Sequence, residues 1–170
     1  AVNKQAQRVL KQGNLVAAAR AVSAGLVAAP GNANLVKTLQ EVLSGAEAAA
    51  NATKRAADKS GASSRPEYSD AAARLSSATS VPRSGSAEDA QSAIREYLAA
   101  ADLYETAVTR NALAAMRQGN LLGAARAIAV GLEETPGNTD FQKTLEEILE
   151  TAEGAAEAAK RSEDSAGASD

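Results

Sequence analysis

A chain of 170 residues with 45% apolar residues, 2% aromatics and a net charge of −3 is long enough for one domain or two small ones. It holds no cysteine and no histidine, which excludes disulfides, thiol chemistry, the common zinc ligands and the usual neutral-pH base. No uninterrupted apolar run approaches the roughly 20 residues that cross a bilayer, so no membrane span is expected.

The first helix is expected from Asn3 to Gln12. Gly13-Asn14 then turns the chain, with Asn14 capping a second helix that ends near Ala29. Leu15, Ala18, Ala19, Val22 and Leu26 recur at three and four residues, one apolar face of a 3.6-residue period. Pro30 stops that helix, because it lacks an amide hydrogen and clashes with the preceding turn. Asn32 caps a third helix, which carries Leu35, Leu39, Val42, Ala46 and Ala49 inward and fades near Lys59. Residues 60–66 read as a loop, 67–78 as a short helix and 79–85 as a second break around Pro82. Ser86 and Asp89 form a capping-box pattern that opens the longest periodic segment, Ala87 to Arg117, about 46 Å at 1.5 Å per residue. Ile94, Tyr97, Ala101 and Tyr104 are expected to face one neighbour. Gly119-Asn120, a helix to Thr135, Pro136-Gly137, the cap Asn138 and a last helix to about Arg161 complete the chain.

The end of the chain repeats its beginning. Residues 1–60 laid over 107–166 without a gap give 29 identities, which chance does not produce. The copies have diverged in charge: residues 1–60 carry +5, residues 61–106 carry −3 and residues 107–170 carry −5. Four units of organisation follow: a first helical unit (1–60), a linker with one short helix (61–85), a long helix with the second unit (86–163), and a flexible tail (164–170).

Within each copy, Gly13, Ala18, Gly25 and Pro30, and again Gly119, Ala124, Gly131 and Pro136, stand at the spacing of a helix–turn–helix repeat, with Ala6 and Ala112 seven residues ahead of the turn glycine. Glycine permits the tight turn, small residues let paired helices approach, and proline closes the second helix. This block of about thirty residues resembles the tetratricopeptide (TPR) family. The resemblance implies an all-α fold, with TPR-like hairpins in an internally duplicated array of six to seven helices. It departs from the family pattern at Ala115, where a tyrosine is usual, and in the third helix of each copy, which runs on without the next turn.

Neither a Ser-x-x-Lys motif nor a phosphate-binding glycine loop stands at a strand–helix junction. Glu146, Glu147, Glu150, Glu153 and Glu157 crowd the last helix, but the first copy has Gln40, Glu41, Ser44, Glu47 and Asn51 there. With two of five carboxylates duplicated, a solvated acidic face is the expectation, not a metal site. Lys4, Arg8 and Lys11, and further on Lys54, Arg55 and Lys59, lack the aromatic platforms that nucleic-acid binding uses. A non-enzymatic, cofactor-free protein–protein interaction or scaffolding module is therefore expected, probed by a protein or peptide partner of acidic character. The resemblance places the partner-facing surface at Asn3, Gln7, Leu10, Lys11 and Lys37 in the first copy, and at Thr109, Leu113, Met116, Arg117 and Lys143 in the second. The alternatives are a self-assembling structural helical domain with weak, salt-sensitive association and, less favoured, a small-molecule or lipid carrier. The first copy lacks a counterpart of the long helix's first half, so its apolar face is expected to have no cover of its own; residues 66–96 folding back over both units, another molecule, or a longer chain of which this is a fragment would supply it.

Overall fold

The computed structural model describes residues 2–82 and 86–167, and in that range the chain is all-α, with seven helices and no strands. They are α1 (Val2–Lys11), α2 (Leu15–Ala28), α3 (Ala33–Lys59), α4 (Pro66–Ser80), α5 (Ala87–Arg117), α6 (Leu121–Glu134) and α7 (Thr139–Gly167). A single 3₁₀ turn, Ala62–Ser64, interrupts the loop expected after α3. The Arg83–Gly85 part of the second expected break and the last three residues of the tail lie outside the described range.

Turn chemistry explains where the helices end. Gly13 and Gly119 adopt φ of +77° and +78°, a left-handed conformation that glycine enters without a Cβ penalty. Asn14 accepts from the Ala17 amide at 3.0 Å, and Asn120 accepts from the Gly123 amide at 2.9 Å. Asn32 takes the amides of Asn34 and Leu35, while Asn138 takes those of Asp140 and Phe141. Ser86 and Asp89 close a reciprocal capping box at the start of α5. Gly25 and Gly131 serve packing instead: a Cβ on Gly131 would lie 2.8 Å from the Phe141 ring, and one on Gly25 would lie 2.9 Å from Leu35.

The core follows two long helices. α5 packs chiefly on α3 and α4, while α6 contacts α5, α7 and α3, the last at the end that carries Arg55 and Lys59. Alanine lines much of this interface: Ala46, Ala50, Ala56, Ala57, Ala100 and Ala107 are fully buried. Each alanine buries little area, so the interface gains its stability from length and close approach. Tyr104 is the largest fully buried side chain and meets Tyr68 edge-on, with ring centroids 5.2 Å apart.

Ile94, Tyr97, Ala101 and Tyr104 are all buried, Tyr97 bordering one pocket with Leu43 and Ala78 and Ile94 bordering a cleft toward α2. One expectation, the place of the uncovered face, is corrected. The first half of α5 folds back over α3, as one of the expected sources of cover, so the first unit is the covered one. The exposed counterpart is in the second unit, where every residue from Glu153 to Asp164 of α7 is exposed. Leu149 on α7 is 51% exposed, whereas its counterpart Leu43 is 5% exposed. The covering segment follows the first unit in the chain, and its Tyr97 sits on the Leu43 side of α3.

Candidate functional site

Cation–carboxylate contacts fix the helices that frame the surface. Glu134, at the end of α6, accepts from Arg55 Nε at 2.7 Å and from Lys59 Nζ at 2.5 Å, both on α3. These two cations, Lys59 first, hold the Glu134 carboxyl below its ordinary range. Arg110 of α5 donates to the buried Glu67 at the start of α4. Asn111 of α5 donates to the Ser60 carbonyl at 2.9 Å and accepts from Arg65, tying α5 to the end of α3. Around Tyr68, Lys54 pairs with Asp58 at 2.7 Å and stands 5.7 Å from the ring centroid, and the tyrosine hydroxyl donates to Asp58. Burial pushes the Asp58 carboxyl up, but the bonds from Lys54 and Tyr68 outweigh it and hold it below the usual range. These groups serve the packing of α3, α4 and α5.

The ten residues singled out in the sequence fall on different parts of the surface. Gln7 and Lys11 line a shallow basic groove on α1 together with Lys4, Arg8 and Gln12. Thr109, Leu113 and Lys143 line a second groove between α5 and α7, which also receives Glu105, Arg110, Asp140 and Glu147. Burial, with the charges of Asp140 and Asp102 adding to it, pushes the Glu105 carboxyl up against an opposing bond from Asn138. Asn3 is engaged within the fold, accepting from Thr38 Oγ1 at 2.9 Å, and Met116 Sδ faces the Thr151 hydroxyl at 3.8 Å. Leu10 is half-buried, while Lys37 and Arg117 are exposed. The two grooves share no lining residue.

A larger cleft of about 530 Å³ lies between α2 and the first half of α5. Val16 and Ala19 of α2 face Ile94, Leu98 and Ala99 of α5, giving it an apolar floor. Arg20 on one bank and Arg95 on the other are exposed cations, and Asp102 closes one end with its carboxyl pushed up by burial. Neither arginine is among the residues that the sequence pattern singles out. A cleft between helices distant in sequence leaves no local signature.

Among the described residues, no group of three or more acidic side chains is arranged to hold a metal ion, and no helix is long and apolar enough to cross a membrane. The acidic run on α7 is exposed from Glu153 to Asp164. Comparison with family models, curated proteins and solved structures gave no match.

Proposed function

We propose that this is a non-catalytic protein–protein interaction module of TPR-like type, whose principal docking site is the α2–α5 cleft. The observation that carries the reading is the pairing of an apolar floor with an arginine on each bank. Such a cleft suits an amphipathic helix or peptide that lays small apolar side chains on Ile94, Leu98 and Ala99 and offers carboxylates to Arg20 and Arg95. The repeated glycine turns and asparagine caps, the close helix contacts at Gly25 and Gly131, and the proline stops support the TPR-like description. The α1 groove with Lys4, Gln7 and Lys11 is a secondary basic surface of the same preference.

Selection from a displayed peptide library on the immobilised protein tests the reading. Acidic sequences with helical spacing of small apolar residues should be enriched, and the enrichment should vanish with Arg20→Glu plus Arg95→Glu. Enrichment that survives both charge reversals removes the cleft from the account. No enrichment at all removes the module reading.

A further inference from the structure

We infer that the occupant of the α2–α5 cleft is the second half of α7 from another copy of this chain. The inference rests on the cleft being a docking site, as proposed above, and supplies what docks there. Between Glu153 and Asp164 α7 is exposed all round, so it stands clear of the helices that bury its counterpart. Its sequence is nonetheless built for packing. Ala152, Ala155, Ala156 and Ala159 recur at three and four residues and form one small apolar stripe. The corresponding stripe on α3 is Ala46, Ala49, Ala50 and Thr53, buried except for the half-buried Ala49, on a helix that packs chiefly against α5. The same type of helical face is therefore covered in one unit and bare in the other.

The cleft matches this stripe in shape and charge. Its floor consists of alanine and mid-sized aliphatic residues, which a helix with only alanine on its contact face can approach closely. Residues 150–164 carry Glu150, Glu153, Glu157, Glu163 and Asp164 against Lys160 and Arg161, so the docking helix is acidic while the banks of the cleft are Arg20 and Arg95. The opposite charges of the two units, +5 over residues 1–60 and −5 over residues 107–170, favour the same orientation at longer range. The contact is heterologous, since helix and cleft are different surfaces of each copy, so it propagates beyond a dimer or closes into a ring.

Sedimentation velocity should show mass rising with protein concentration and falling between about 50 and about 500 mM NaCl, where screening shortens from beyond 10 Å to a few ångströms. Arg20→Glu plus Arg95→Glu should weaken association about tenfold or more, and so should Glu153→Arg plus Glu163→Arg. All four positions are exposed, so folding is not at stake. Mixing the two variants should restore association, because each supplies the surface that the other lost. The chain has no cysteine, so single cysteines report the geometry without background. A bismaleimide should couple Val16→Cys copies to Ala156→Cys copies only in the mixture. A monomer at every concentration, or Ala156→Cys alone coupling into dimers, overturns the inference. In that event peptide enrichment that depends on Arg20 and Arg95 would leave the cleft standing with a foreign ligand, and its absence would remove both readings.

Discussion

At the scale of single residues, Tyr104 shows how narrow the margins of an alanine-rich core are. Its ring is fully buried, and its hydroxyl is buried with no hydrogen-bond partner among the described residues. The ring supplies bulk that no neighbouring alanine can replace, while the hydroxyl has given up water without compensation. The two parts therefore separate by substitution. Tyr104→Ala should lower the unfolding free energy by about 3–5 kcal/mol, the usual cost of deleting a buried aromatic ring. Tyr104→Phe should be neutral or should stabilise by up to about 1–3 kcal/mol, the range attached to an unsatisfied buried polar group. Chemical denaturation of both variants checks this, and a Tyr104→Phe protein clearly weaker than wild type would mean that the hydroxyl is engaged after all.

At the scale of helices, α6 is held to α3 by Glu134 together with Arg55 and Lys59. The carboxyl's folded-state pKa is depressed, so the native state binds its proton less readily than the unfolded chain does. Its stabilising contribution is complete above the ordinary glutamate range and is lost as pH falls through the depressed one. Glu134→Gln should therefore melt lower than wild type at neutral pH, and the two midpoints should converge in acid; a constant difference across that range would refute the linkage. The pairing spans 79 and 75 positions, which is why local pattern did not reveal it. What local pattern did reveal was chemistry completed within a few residues. The Ser86–Asp89 box fixed the start of the long helix and Gly13 and Gly119 marked the turns, whereas Pro66, read as loop, is the first residue of α4, where a missing amide hydrogen costs nothing. The end of α7 was misjudged because SEDSAG lacks periodicity, yet the helix continues through it to Gly167. The α2–α5 cleft went unseen for the same reason as the Glu134 pairing: each joins helices far apart in the sequence.

At the scale of the molecule, two stretches of matching sequence live in different surroundings. Residues 47–58 belong to a helix packed against α5 and bury Ala50, Thr53, Ala56 and Ala57, while residues 153–164 of α7 are exposed throughout. Hydrogen exchange should follow environment and not sequence, with amides of 153–164 exchanging far faster than those of 47–58 in dilute solution. Equal protection in a monomeric sample would contradict the exposure of α7, and protection that grows with protein concentration would be the signature of docking. The Glu134 contact also bears on how such a chain reaches one structure. With 29 identities between the copies, and with both α2 and α6 packed on α3, exchange of the two helices is the mispairing such a chain has to avoid. The place of α6 on α3 offers Arg55 and Lys59, and the rival helix carries Ala28 where α6 carries Glu134. Among the differences between the two helices, this acidic residue works as part of an address, and it makes mispairing of the repeats the less stable of the two outcomes.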